Sequence, residues 1–192
     1  MWPLLATSLV AVSVVVERLI FIAVEKTKRN PSAVEDVLQA AEEGRLEEAR
    51  QLAEKSHDFV VRVIGFALRH DHESFGNAIL RAARRELRRF SRGLSALDTI
   101  VTLAPLLGLL GTVTGMIHAF GLLGSQTLDT PTAITGGIAQ ALIATAFGLG
   151  IAITALIPFN YLNTQMENAR EDIEEAATRL EMALNVSPQL SE

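Results

Sequence analysis

Residues 130–166 read TPTAITGGIAQALIATAFGLGIAITALIPFNYLNTQM, 37 positions without an Asp, Glu, Lys or Arg. Residues 99–128, TIVTLAPLLGLLGTVTGMIHAFGLLGSQTL, are charge-free over another 30. About 18 apolar residues suffice to flag a membrane-crossing helix, so both runs read as spans. The 192-residue chain is 49% hydrophobic and 20% charged, with a formal net charge of −5. Those averages hide a segregation, because residues 25–93 hold 14 of the 17 basic and 12 of the 22 acidic side chains. A simple soluble globule is excluded. So are a disulfide scaffold and any Cys-based metal or redox site, since cysteine is absent. The net charge itself says little: segment 25–93 is +2 and segment 163–192 is −5.

A third span is read at the N-terminus, from Trp2-Pro3-Leu4 through Val16 and on to Val24. No basic n-region or small-residue cleavage site precedes Glu17, so a cleaved signal peptide is not expected. A helix rising ~1.5 Å per residue carries residues 1–24 across about 36 Å, against a hydrocarbon core of about 30 Å. Glu17 and Arg18 then fall in the last third of the crossing, where Arg18 can snorkel to the nearer surface. The expected architecture is all-α, with spans at 1–24, 94–123 and 132–162. A helical loop at 25–93, a short connector at 124–131 and a tail helix at 163–192 complete it. Lys26, Lys28 and Arg29 flank the first span and Arg81 to Arg92 the second, while the connector has no Lys or Arg. The positive-inside rule therefore puts the loop and tail in the cytoplasm and the N-terminus and connector outside.

Within the loop, Ser32-Ala33-Val34-Glu35 matches a capping box for a helix that Gly44 stops. Residues 46–56 and 58–69 have apolar positions at helical spacing. Pro105 is the sole proline from Glu73 to Phe120, so span two is expected to extend into the cytoplasm as one long helix. Span three extends likewise into the tail, where Ile173, Ala177, Leu180 and Leu184 form a stripe opposite Glu171, Asp172, Glu174 and Glu175.

The spans carry small residues in register. Gly111 and Gly115 form a G-x-x-x-G step that Gly108 continues, and Gly137, Ala141, Thr145, Gly148 and Ala152 make a nearly continuous small face. Such faces let helix backbones approach where lipid supplies no hydrophobic drive. Pro105 cannot donate to the Val101 carbonyl, so a kink or a local hydroxyl partner is expected. A Gln140 amide in hydrocarbon needs a partner helix or water. On the residues alone, the favoured reading of Thr112, Thr145 and Gln140 is that they satisfy hydrogen bonds between packed helices.

Ala104-Pro105-Leu106-Leu107-Gly108-Leu109-Leu110-Gly111-Thr112-Val113, with Gly115-Met116-Ile117 and Phe120, resembles the second span of the MotA/TolQ/ExbB proton-channel family. Gly137 through Leu149 resembles its third span, Phe159-Asn160-Tyr161 the polar-aromatic end that follows, and Glu17-Arg18-Leu19 the end of an ExbB-like first span. Three spans and one large loop look like the ExbB/TolQ branch, since MotA-type stator subunits have four. The resemblance implies a homo-oligomer, five copies around a central pore, holding the single-span helices of an ExbD/TolR-like dimer. Each partner helix would carry a proton-exchanging Asp, and the work would pass outward to a TonB- or TolA-like envelope protein. Thr112 and Thr145 fall at the family's pore-lining threonines. Gln140 falls where several ExbB and TolQ proteins have Glu. Either an ionisable group there is dispensable, the favoured reading, or coupling differs in this chain. The implied function is proton-driven work on envelope processes in a bacterial inner membrane. The alternatives are a flagellar-stator-like subunit, which the missing fourth span disfavours, and a non-conducting scaffold.

Outside the spans, Arg81, Arg84, Arg85, Arg88, Arg89 and Arg92 share one helical face. They suit anionic lipid headgroups or the acidic tail face of the same or a neighbouring copy, including Glu171 and Glu175. Nucleic acid is not expected, because aromatic interleaving is limited to Phe90. Asp98 either lines an inner proton exit or pairs with a basic neighbour. His118 reads as an interfacial polar residue or a titratable gate. His70-Asp71-His72-Glu73 reads as a polar turn rather than a metal site, since His70 and His72 do not share a helix face. No cofactor, metal motif, nucleophile–base pair or phosphate loop is visible, and no enzyme is expected.

Overall fold

The computed structural model describes residues 2–70, 75–121 and 131–186. Among the described residues it forms seven helices and no strand: α1 (Trp2–Lys28), α2 (Pro31–Glu42), α3 (Leu46–Lys55), α4 (Phe59–Arg69), α5 (Phe75–Ser91), α6 (Leu94–Gly121) and α7 (Pro131–Val186). Three stretches are long and apolar enough to cross a membrane: Trp2–Lys28, Phe75–Gly121 and Thr135–Leu184. The connector expected at 124–131 lies outside the described residues except for Pro131, which opens α7.

The chain divides into two compact units. The first comprises Met1–Arg18 and Gly93–Leu162, and the second Leu19–Arg92 and Asn163–Glu192. In the first unit Ala11, Ile100 and Ala155 are buried together, with Val101 and Ile151 against them. Its outer faces are apolar; Leu9 is 70% and Ile157 71% exposed. In water such faces would be untenable, whereas lipid tails are as apolar as Leu.

The second unit has a conventional core that includes Val37, Leu38, Val61, Ile64 and Leu180. Phe90 packs edge-on against Phe21 and Phe59, with ring centroids 5.5 and 5.2 Å apart. Local chemistry sets its helix ends. Helix α2 is capped by Asn30, whose Oδ1 accepts the Ala33 N–H at 3.2 Å, with Pro31 at the first helical position. The capping box expected at Ser32 is therefore displaced by two residues, because Asn30 takes the cap and Pro31 needs no backbone donor there. Gly44 ends α2 as expected, at φ 76°, with the N–H groups of Arg45 and Gly44 on the Ala40 and Ala41 carbonyls.

Two further differences concern the long helices. A turn at Arg92–Gly93 interrupts the single helix expected from Glu73 into span two, because Gly93 adopts φ 80°. A side chain at Gly93 would also meet Val14 Cγ1 at 2.9 Å. Pro105 lies inside an α6 that continues past it, and Thr102 Oγ1 donates to the carbonyls of Asp98 and Thr99 rather than to Val101. The tail stripe is buried along Ala169, Ile173, Ala176, Leu180 and Ala183, so Ala177 and Leu184 sit at its half-buried edge.

Candidate functional site

Helices α6 and α7 of the first unit meet along a seam of small residues. A Cβ placed on Gly108 would lie 3.0 Å from Thr145 Cα, and one on Gly111 2.6 Å from Ala144 Cβ. On Gly115 it would lie 2.7 Å from Ala141 Cβ, and on Gly137 2.9 Å from Ala119 Cβ. The tightest point is Gly148, whose Cβ would reach the Ala104 carbonyl oxygen at 2.5 Å. Residue 104 precedes Pro105, which is half-buried beside this crossing. The sequence-derived packing residues thus lie on one interface, each glycine opposite backbone or a methyl group.

Thr145 is seated in this seam. Its Oγ1 donates to the Gly108 carbonyl across the two helices at 2.9 Å. That carbonyl belongs to the residue one turn before Thr112. Thr112 Oγ1 donates to the Leu109 carbonyl at 2.7 Å. Both hydroxyl protons are committed to backbone oxygens, and each oxygen keeps lone pairs that can accept.

Gln140 is not part of this constellation. At ~100° per residue it lies about 140° around α7 from Thr145. It shares its face with Phe147, Ile151 and Pro158, which line an apolar groove of about 480 Å³ between α7 and α1. Gln140 is exposed. The spacing that separates it from Thr145 is readable from the sequence.

The charged residues of the first unit divide in two. Arg18 is 3% exposed; its stem lies 3.5 Å from where a Cβ on Gly93 would stand, and its Nε donates to Glu17 Oε2 at 2.7 Å. The Arg18 side chain is thus buried within its own unit, while Glu17 is exposed. Asp98 is exposed and makes no ion pair among the described residues. His118 is exposed in the last turn of α6.

The second unit holds charge clusters that sequence reasoning missed. Asp58, fully buried, accepts from the backbone N–H groups of Asn30 (2.7 Å) and Val60 (2.8 Å) and from Arg29 Nη1 (2.7 Å). Arg29 also reaches Asp172 at 2.9 Å, so it ties α4 to α7. Burial alone would lower the Arg29 guanidinium, but Asp58 and Asp172 outweigh it and hold it above its usual range. Arg62 likewise bridges Glu86 at 2.9 Å and the buried Glu25, and those carboxylates raise it against the opposing effect of burial. Arg179 bonds Glu35 at 2.8 and 2.9 Å and Glu42 at 3.1 Å. The Arg179 hydrogen bond holds the Glu35 carboxyl below the ordinary carboxylate range. Asp58 followed by Phe59-Val60-Val61 is a readable cap signal. Its partners Arg29 and Asn30, 29 and 28 residues upstream, are not.

All six arginines from Arg81 to Arg92 are exposed. Arg89 reaches Glu86 at 2.7 Å, and Arg84, Arg85, Arg88 and Arg92 make no ion pair among the described residues. The expected pairing with Glu171 and Glu175 does not occur within one copy, because those carboxylates project from the side of α7 opposite buried Ile173 and Leu180. His70 caps α4 and stacks on Phe66 at 4.1 Å, while Asp71, His72 and Glu73 lie outside the described residues. No group of three metal-ligating side chains occurs among the described residues.

The profile of the MotA/TolQ/ExbB proton channel family matches residues 18–175. The chain is 40% identical over 169 residues to the putative biopolymer transport protein ExbB-like 1 of Synechocystis sp., covering 84% of this chain and 66% of that protein. It is 39% identical over 98 residues to the biopolymer transport protein ExbB of Neisseria gonorrhoeae, covering 51% of this chain and 44% of the relative. Against the Tol-Pal system protein TolQ of Haemophilus influenzae the identity is 37% over 91 residues, covering 47% and 40%. The chain thus spans between 40 and 66% of the length of these relatives. With three membrane-length helices, a glycine seam between two of them and a match over most of its length, the chain belongs to the MotA/TolQ/ExbB proton channel family.

Proposed function

We propose that this chain is the ring-forming subunit of a proton-driven motor in a bacterial inner membrane. Its spans lie at 1–24, 94–123 and 132–162, with the N-terminus outside and the 25–93 loop and the tail inside. Five copies surround an ExbD/TolR-like dimer whose Asp takes up and releases protons, and the motion energises envelope processes such as outer-membrane transport. Thr112 and Thr145 form the polar part of the wall that this Asp passes.

The observation that carries the reading is the α6–α7 seam, which holds Thr145 by a hydrogen bond to Gly108 and is lined, among the described residues, by glycine, alanine and threonine at its close approaches. A wall of this kind can shield an acid without competing for its proton. The energetics agree in scale. One charge crossing 100 mV releases about 2.3 kcal/mol, and a bare carboxylate at the bilayer centre costs at least about 2.5 kcal/mol. A wall whose hydroxyl oxygens accept from the protonated acid lets the partner Asp pass in its neutral form, which avoids the second cost. The position of Gln140 away from Thr145 supports the reading in which no titrating group is needed at 140.

The test is proton uptake by vesicles carrying the chain with and without a co-expressed single-span partner. Uptake is expected only with the partner, and its loss when the partner Asp is replaced by Asn. Brisk uptake by the chain alone overturns the division of labour, and no uptake in either case favours a passive scaffold.

A further inference from the structure

The second unit contains a groove of about 860 Å³ between α5, from Gly76 to Ser91, and α7, from Met166 to Glu181. Ile79, Leu87, Ile173 and Ala177 give it apolar walls. Arg84 and Arg88 also line it; both are exposed and make no ion pair among the described residues. On the same stretch of α7, Glu174 is paired with Arg170 at 2.8 Å, and Glu167 lies 4.0 Å from that same arginine. Glu171 and Glu175 lie on the side of α7 away from this groove, Glu171 at the edge of a second groove toward Glu25 and Arg29, and both are exposed without an ion pair among the described residues. The groove and the α7 face beside it thus include, among the described residues, two arginines and two glutamates without an ion pair, each pair spaced i, i+4.

The two pairs also run in the same order away from the membrane spans, Arg88 before Arg84 and Glu171 before Glu175. Helix α5 leads into span two while α7 leaves span three, so the groove walls run antiparallel, and both are fifteen residue steps long. A rotation about the membrane normal preserves that order. We propose that the α5–α7 groove of one copy receives the outward acidic face of a neighbouring copy's α7, with Arg88 meeting Glu171 and Arg84 meeting Glu175. The contact is heterologous, the kind that closes into a ring when the rotation allows. It rests on the ring reading above and names the surfaces that make the ring.

The chain has no cysteine, so introduced thiols are unambiguous. Two differently tagged copies of the full chain, one with Arg84→Cys and one with Glu175→Cys, are co-expressed and treated in membranes with a short bismaleimide. A covalent dimer bearing both tags is expected, several-fold above the dimer from either variant alone. Independently, R84E/R88E and E171R/E175R are each expected to lower the oligomeric fraction about tenfold, since like charges now face each other. Combining all four in one chain should recover it to within about threefold. An intact oligomer with no two-tag dimer and no charge rescue overturns the interface and leaves the ring standing. Cross-linking within a single R84C/E175C copy, or to a different protein, also overturns it. An unmodified chain that is monomeric in its membrane overturns ring and interface together.

Discussion

Gly148 faces Ala104 so closely that a Cβ on residue 148 would stand 2.5 Å from the Ala104 carbonyl oxygen, and 3.0 Å from Gly108 Cα. Both obstacles are backbone, which cannot swing aside as a side chain can. Gly148→Ala should therefore part α6 from α7 at this crossing, at a cost of about 1–3 kcal/mol for overpacking. Gly150→Ala is the control, because nothing lies within 4 Å of its Cβ position. A lowered thermal midpoint in detergent for the first variant and an unchanged one for the second is the expected pair of results.

Thr145→Val keeps the shape of the side chain and removes its bond to the Gly108 carbonyl. Such bonds in membranes are worth about 0.6 kcal/mol on average, so assembly, read by native mass, should survive. Proton uptake with the partner should fall severely. Thr145→Ser retains the donor and is expected to keep most of the uptake.

Asp58 is the buried anion on which Arg29, α4 and α7 converge. Arg29 keeps Asp172, but the backbone N–H groups of Asn30 and Val60 lose their acceptor, at about 1–3 kcal/mol for an unsatisfied buried donor. Asp58→Ala should expose the second unit to limited proteolysis at protease levels that leave the parent chain intact. Asp172→Ala, whose carboxylate is partly exposed, should have a much smaller effect.

The pH dependence follows from Glu35. Its carboxyl is held below the ordinary range by the Arg179 hydrogen bond, so the folded state binds that proton less readily than the unfolded one. The contribution to stability is present above the unfolded value and is lost as pH falls through the lower, folded one. Urea midpoints should therefore drop on acidification toward pH ~3, and Glu35→Gln should flatten that drop. Because the pair is exposed, added salt should shrink the difference between the two chains.

The spans are legible because the bilayer enforces them through composition alone: two charge-free runs admit few other readings. The small faces of α6 and α7 are legible because close packing needs Gly or Ala at fixed helical intervals. Two local features escape such reading. The Gly93 interruption depends on a positive φ that a lone glycine does not announce. The Asn30 cap outcompetes the Ser32 box because Pro31 sits between them. Gln140 shares the polarity of the threonines, yet the five-residue spacing that turns it away from Thr145 is itself legible. The Arg29–Asp58–Asp172 cluster spans 143 positions of sequence, and no local pattern encodes a meeting at that separation.

The hydroxyls of Thr112 and Thr145 have already given their hydrogens to main-chain oxygens. What remains on each is Lewis-basic electron density. A neutral acid brought against such a surface finds somewhere to point its O–H, whereas its conjugate base finds no matching donor. Without surrendering an existing bond, the wall thus welcomes the loaded form of a travelling carboxyl group over the discharged one.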